Sequence, residues 1–390
     1  MNEAPLINPL ANASREAMTL LGYAYGKPEF SAIFKQEVSD FCVDEDLGFE
    51  LSGAGEHLCV QIRKSGIATP QVVRALARAA GVREQDIGYA GLKDRQGICT
   101  QWFSIYLPSN REPDFAAFGE RGMLIVQTLR NSRKIRRGSH RSNQFRIRLR
   151  EVMATVQLDG EAASDMQQMA VDRNPGSLLT RLENIRAFGV PNYFGEQRFG
   201  TDNANVAMAA RMFRGELRVP RGFKRGMLLS AARSCVFNAV LSRRVLAQNW
   251  DSHLDGDVMN LDGTESVFVP DGWDAQLQAR LAVMDIHPTA PLWGRGELRS
   301  SASARELEMD CVEQYRELCT GLESAGLEQA RRSLRLPVQE LRWTWLNGNG
   351  LELQFSLPPG TYATAVLREL LALRSDDDRY AGDEPASEIG

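Results

Sequence analysis

Apolar and polar residues alternate along several short stretches near both ends of the chain. In His57–Lys64, Leu58, Val60 and Ile62 share one face, the mark of a half-buried strand. The clearest case is NQFRIRLREV, Asn143–Val152. Phe145, Ile147 and Leu149 point one way, and Arg146, Arg148 and Arg150 the other. Gln101–Pro108 reads as a further strand, and Gly350–Leu357 sets Leu351, Leu353, Phe355 and Leu357 against Glu352, Gln354 and Ser356. Thr69–Gly81 shifts to a helical period, with Val73, Leu76, Ala77 and Ala80 as its stripe. Thr69 is suited to cap it, Pro70 to its first turn and Gly81 to a left-handed stop.

The middle of the chain has a different texture. Gly189–Gly200 is rich in glycine and aromatic residues, Leu228–Ala247 is helical, and the part around 252–273 is rich in Gly and Asp. A single long charged helix is expected from Ala304 to Leu336, after which the strand pattern returns. Pro358–Leu373 reads as a turn opening a helix. Residues 1–20 read as a flexible leader and the acidic residues 375–390 as a disordered tail. No internal repeat is visible. This order predicts one α+β domain with a sheet assembled from both chain ends, 21–188 and 338–374, interrupted by a second domain at 189–337.

Composition alters this picture little. With 390 residues, 43% hydrophobic and 25% charged, the chain suits a globular protein of two or three domains. No apolar run approaches the roughly 20 residues that span a bilayer, and no basic segment leads into an apolar core as in a signal peptide. Cys42, Cys59, Cys99, Cys235, Cys311 and Cys319 are scattered singly, without zinc-site spacing, which points to free thiols in a reducing compartment.

Charge changes the picture more. The net charge is −4, yet Arg121–Arg150 holds ten basic residues and no acidic one, which leaves −14 for the remainder. Such asymmetry suits a face that binds a polyanion. The arginines of 143–152 would repeat every 6.6–7 Å or so along a strand, close to the step between nucleic-acid phosphates. A charged guard on a sheet edge is the plainer reading of the same residues.

One corner raises a chemical question. GYAGLKDRQGICTQWFSI, Gly88–Ile105, reads as strand, corner, strand, with Lys93, Asp94 and Arg95 in the corner. A solvated turn is the ordinary use of such residues.

The segments AGLKDRQGICTQW, RSNQFRIRLRE, GVPNYFGEQRFG, LSAARSCVFN and LPPGTYATAVLREL, in this order and spread over nearly the whole chain, resemble the signatures of the TruD family of tRNA pseudouridine synthases. Phe34–Glu50 matches the family's N-terminal segment. The resemblance implies a pseudouridine synthase core, a mixed and mainly antiparallel sheet with flanking helices, interrupted by an inserted α/β domain that walls an RNA-binding cleft. It also implies conversion of uridine to pseudouridine in tRNA without cofactor or metal, at uridine-13 of the D-arm, with substrates of the tRNA-Glu type. A cytoplasmic monomer with no membrane association is expected.

The family's carboxylate, which acts as nucleophile or as base, corresponds to Asp94. Lys93 and Arg95 alternate away from Asp94 along an extended chain, so a cation from elsewhere is expected to keep the carboxylate ionised, and Lys35 matches the family's basic position. By the same resemblance Phe41 and Tyr362 supply aromatic faces to a flipped-out base and Asn143 a hydrogen bond. The family more often has Phe where this chain has Tyr362. Phe145 shares strand parity with Asn143 and is expected as core or pocket wall. Arg133, Lys134, Arg136, Arg137, Arg146 and Arg148 are expected to hold RNA backbone beside the pocket, with Lys93 and Arg95 either meeting phosphate or capping the turn. His140 lies in the basic run as a further phosphate contact. Tyr193, Gln197 and Arg198 are candidates for RNA contact, against a plainer packing role for their turn.

Rival readings remain at this stage. The basic strand face also suits an RNA-binding protein without catalysis. Asp44, Glu45 and Asp46 could hold a nuclease metal, although adjacent carboxylates on a strand diverge and chelate poorly. His57, His140, His253 and His287 lie in no nucleophile-elbow context, which disfavours a Ser/His/Asp hydrolase.

Overall fold

A computed structural model describes residues 21–108, 113–155, 177–200 and 204–374. The expected leader and tail lie outside the described residues. The rest divides into two compact units. One lies within Pro28–Thr180, Val338–Ala363 and 370–374; the other holds 21–27, Arg181–Pro337 and Thr364–Glu369.

The first unit is built on a ten-stranded sheet. Its strands are β1 (Phe30–Phe34), β2 (Phe41–Asp46), β3 (His57–Ser65), β4 (Ile87–Tyr89), β5 (Ile98–Tyr106), β6 (Met123–Asn131), β7 (Ser142–Ala154), β8 (Gln339–Leu346), β9 (Gly350–Leu357) and β10 (Ala372–Arg374). The main order is β8-β9-β7-β2-β5-β3-β6. Strands β1 and β10 pair in parallel beside β7, β4 pairs with β5, and β2 runs parallel to β5. The other pairings are antiparallel, so the sheet is mixed and mainly antiparallel, as the family resemblance implied.

Register decides which residues share a face. Glu45, Val43 and Phe41 stand opposite Asn143, Phe145 and Ile147. Phe355 and Leu357 stand opposite Phe145 and Asn143, Val43 opposite Cys99, and Cys99 opposite Lys64. That face is apolar over most of its area. Leu58, Val60, Ile62, Phe103 and Ile105 pack against Val72, Val73, Leu76, Ala77 and Ala80 of helix Thr69–Ala80. Each large side chain buried there contributes about 1.5–3 kcal/mol. Gly81 ends the helix with φ 66°, and its N–H bonds the carbonyls of Ala77 and Arg78. The cap differs from expectation: Ala68 is the N-cap, and the Thr69 hydroxyl is turned inward to donate to Gln101.

In the second unit, helix Phe223–Leu246 buries Leu228, Val236, Phe237 and Leu241. It packs against helices Ala204–Phe213, Ala302–Gln314 and Arg316–Ser324. A four-stranded sheet and a two-stranded one, Val190–Pro191 with Arg335–Leu336, also belong to this unit. The long helix expected from Ala304 to Leu336 is instead two helices and two short strands. Tyr315 leaves helical geometry at φ −109° and ψ 23°, Gly326 turns the chain at φ 84°, and Ala330–Leu336 continues as strands. In the turn Asn192–Gly200, Tyr193, Phe194 and Phe199 are buried, and Arg198 bonds the Ser230 hydroxyl. This turn packs, in line with its plainer reading.

All six thiols are free, and five of them are buried. Among the described residues no helix is long and apolar enough to cross a membrane.

Candidate active site

The corner between β4 and β5 is tied down at its backbone by buried side chains. Gln101 Nε2 donates to the Gly91 carbonyl at 2.6 Å. The Lys93 N–H donates to the Thr69 hydroxyl at 3.0 Å. Lys64 Nζ donates to the carbonyls of Asp94 and Ile67 at 2.8 and 2.7 Å. Lys64 has no exposed surface, and burial pushes its amine below the ordinary lysine range. Gly97 closes the corner, where an added Cβ would lie 2.7 Å from the Phe41 carbonyl and 2.8 Å from its ring. With the backbone held, the direction of Asp94 is set before any substrate arrives.

That direction leads to Lys35. The Lys35 ammonium lies 2.9 Å from Asp94 Oδ2 and 4.0 Å from the centroid of Phe41. Lys35 follows β1 with φ 59°, an uncommon backbone state for a residue with a side chain. A third of the Asp94 side chain stays accessible, 33% against 19% for Lys35. The carboxylate is therefore charge-paired and open to a ligand at once.

Aromatic rings line the same sheet face. Phe34 meets Phe41 edge-on at 5.7 Å, Phe41 meets Phe145 at 6.0 Å, and Phe145 stacks on Phe355 at 5.3 Å. Phe41 was expected to offer an open face for stacking. It is only 5% exposed, with Lys35 over its ring, so it supports the ammonium and offers little free surface. Phe145 is half-buried between its two neighbours. Tyr362 is half-buried in the loop leaving β9, a few residues beyond Leu357, the register partner of Asn143.

Lys93 corrects another expectation. Its side chain turns inward, only 6% exposed, and its ammonium lies 2.9 Å from the fully buried Glu45 carboxylate. It also donates to Asn143 Oδ1. Its charge is spent inside the protein and does not meet RNA phosphate. Glu45 is anchored from its other oxygen by the Trp102 N–H at 3.1 Å. His140 is buried too, 3.1 Å from Asn143 Nδ2 through Nε2. Burial, aided by the Lys93 charge, pushes its pKa down to about 4, so this imidazole is neutral near pH 7 and is no phosphate anchor.

The basic run splits in two. Arg146 and Arg148 occupy the sheet face opposite Asn143 and Phe145, because adjacent strand residues alternate. Arg148 pairs with Glu352 at 2.8 Å, and Arg150 forks onto the buried Asp40. These arginines therefore do not lie beside the pocket, which corrects the expectation for Arg146 and Arg148. The segment before β7 does lie beside it, through the Gly138 N–H bonded to the Ala90 carbonyl at 2.7 Å. There Arg133, Arg136 and Arg137 are exposed, with Arg137 over the Tyr89 ring at 4.0 Å. Lys134 is bound to the Gln85 carbonyl at 2.6 Å. Arg95 is exposed beside Asp94, its Nε 3.3 Å from the Gly66 carbonyl.

The three consecutive carboxylates diverge. Asp44 is exposed, Glu45 turns inward to Lys93, and Asp46 pairs with Arg141 at 2.5 Å. Among the described residues no group of three or more His, Cys, Asp or Glu is placed to hold a metal ion.

Sequence reasoning assigned no role to Lys64 or Gln101, only a metal-ligand reading to Glu45 and only a helix cap to Thr69. Two of them carried a signal. Lys64 has the parity of Leu58, Val60 and Ile62, and Glu45 that of Phe41 and Val43. A charge on the apolar face of a strand must find a buried partner.

A family model described as tRNA pseudouridine synthase D (TruD) matches residues 18–218 and 207–370. A protein named tRNA pseudouridine synthase D from Xanthomonas campestris pv. campestris (strain 8004) is 45% identical over 365 residues, covering 90% of this chain and 94% of that one. A protein of the same name from Hydrogenovibrio crunogenus is 38% identical over 361 residues, covering 93% and 99%. A crystal structure from Methanosarcina mazei, described as tRNA pseudouridine synthase D, matches with a TM-score of 0.66 at 19% identity, covering 92% of this chain and 97% of that one. This last likeness speaks for the fold.

Proposed function

The chain belongs to the tRNA pseudouridine synthase D (TruD) family and is accordingly a tRNA pseudouridine synthase, an isomerase; we propose that it works through the Asp94 carboxylate on a uridine flipped out of the tRNA fold, at position 13 of the D-arm in substrates of the tRNA-Glu type. The observation that carries this reading is the Asp94 carboxylate itself. It is partly accessible, paired to Lys35 at 2.9 Å and fixed on a corner whose backbone is bonded from four sides.

The reaction breaks the bond from uracil N1 to ribose C1′, turns the base and joins C5 to C1′. The C5 proton leaves and N1 gains one, so product and substrate are isomers. Asp94 acts on the sugar, by attack on C1′ or by removal of a sugar proton. Lys35 pairs with the carboxylate and positions it. Phe41 holds Lys35 through its ring, an attraction worth about 0.5–2 kcal/mol.

Flipping costs a few kcal/mol. Stacking returns about 1–3 kcal/mol per base, and Tyr362 is the half-buried aromatic assigned to it. Asn143 reads the base edge. Arg133, Arg136, Arg137 and Arg95 are exposed beside the corner and meet tRNA backbone. The protein acts as a monomer in the cytoplasm.

The test is direct. Unmodified tRNA transcripts are incubated with the protein, and pseudouridine is mapped by carbodiimide treatment and primer extension. One site in the D-arm is expected. Asp94→Asn should still bind tRNA and make no pseudouridine. Turnover by that variant would remove Asp94 from the mechanism, and product at an unrelated position would overturn the site assignment.

A further inference from the structure

Lys93 and Glu45 form a buried ion pair beside Asn143. A buried pair of this kind is poor evidence of stability, since desolvation offsets much of its attraction. Its geometry indicates what else it does. One carboxylate oxygen of Glu45 is fixed by the Trp102 N–H and the other lies 2.9 Å from Lys93 Nζ. Lys93 is fixed at its backbone by Thr69. Its ammonium is thereby held where it donates to Asn143 Oδ1.

An asparagine amide can turn over, exchanging its carbonyl and NH₂ ends. Here the turn is blocked by the Lys93 ammonium. The reversed amide would aim NH₂ at an ammonium, whereas His140 could accept either end by moving its proton between its two nitrogens. In the observed orientation Nδ2 donates one N–H to Nε2 at 3.1 Å, which places the imidazole proton on Nδ1. One N–H of Asn143 remains. Its carbonyl end lies under the positive charge of Lys93, which repels an approaching donor and favours an acceptor. Asn143 is half-buried, so this remaining N–H has a way to a ligand.

Uracil and cytosine differ at C4, where uracil carries a carbonyl oxygen and cytosine an amino group. We propose that Lys93, held by Glu45, is a specificity-determining positioning residue that locks the Asn143 amide so that its free N–H meets uracil O4 and rejects the cytosine amino group. This rests on the reading above that Asn143 contacts the flipped base.

The test compares binding of two transcripts in an Asp94→Asn background. They differ only in uridine or cytidine at the position where the wild-type enzyme makes pseudouridine. The double substitution Lys93→Met with Glu45→Gln removes the pair without leaving one buried charge alone. It should cut the preference for uridine about tenfold, the worth of one good hydrogen bond. A folded double variant with unchanged preference overturns the proposal. Asn143→Asp gives a second measure that misfolding cannot imitate. A carboxylate accepts and does not donate, so this variant should favour the cytidine transcript, and retained uridine preference would equally overturn the proposal. Asn143→Ala separates the two levels. If it loses the preference while the double variant keeps it, only the role of Lys93 fails. If it keeps the preference, Asn143 does not read the base and the parent assignment fails with it.

Discussion

Lys35 Nζ stands 2.9 Å from Asp94 Oδ2, joining two residues 59 positions apart in the chain. The pair is part-exposed, so its contribution to stability is small after solvent screening. Its consequence is chemical. Lys35→Met should leave the fold intact and lower the rate of pseudouridine formation by on the order of 10²–10³, as removal of a preorganised charge does elsewhere. Single-turnover rates with saturating enzyme would check this, and a rate within threefold of wild type would exclude Lys35 from the chemical step.

Lys64 should behave differently. Lys64→Met leaves the carbonyls of Asp94 and Ile67 without their buried donor. Each unsatisfied carbonyl costs about 1–3 kcal/mol, offset in part by not burying an ammonium. Denaturant unfolding should show a lower midpoint. The single-turnover rate should fall at least tenfold while tRNA affinity changes little, because the corner and not the RNA-binding surface has moved.

Gly97→Ala tests the corner from its other side. The new methyl would press on Phe41, the residue that carries Lys35 on its ring. Overpacking of this kind costs about 1–3 kcal/mol. A loss of both stability and kcat/KM is expected, seen by thermal melts and initial rates.

Salt dependence separates the two halves of the basic run. Replacing Arg133, Arg136 and Arg137 by alanine should weaken tRNA binding and reduce the slope of log affinity against log salt by roughly one for each phosphate no longer neutralised. Replacing Arg146 and Arg148, which lie on the opposite sheet face, should leave that slope unchanged. Binding titrations between 50 and 200 mM salt would show the contrast.

His140 gives a pH signature. Its imidazole is neutral in the fold down to pH about 4 but protonates in the unfolded chain near the ordinary histidine value. The unfolded state therefore binds more protons between these values, and stability falls as pH falls. The loss should begin near pH 6.5, reach roughly 3 kcal/mol by pH 4 and be absent above pH 7. In His140→Gln this component should vanish, as unfolding curves of the two proteins across that range would reveal.

Much of the sheet was legible in the chain. The alternation in Asn143–Val152 and Gly350–Leu357 matches β7 and β9 closely, and Gly81 marked its helix end. The carboxylate in the corner was legible only through resemblance, since Lys93, Asp94 and Arg95 are ordinary turn residues. What stayed hidden was the relation between distant strands. Local parity places Arg146 and Asn143 on opposite faces of one strand but does not say which face meets Asp94. That depends on register with β2 and β5, which no local pattern encodes. The inward charges Glu45 and Lys64 broke an apolar pattern and were readable in principle. Their partners, on other strands and loops, were not. The single helix expected over Ala304–Leu336 failed for a local reason, a non-helical Tyr315 and a left-handed Gly326 within an otherwise helix-forming run.

The first and last strands of the sheet, β1 and β10, are hydrogen-bonded to each other, and β7 finds its neighbour β9 only after some two hundred intervening residues have been made. On the ribosome, then, the hydrogen-bonding edge of β7 opposite β2 waits unpaired until β9 has been made. A chain broken off before β9 lacks the Phe355 ring that backs Phe145 and leaves that edge of the sheet open.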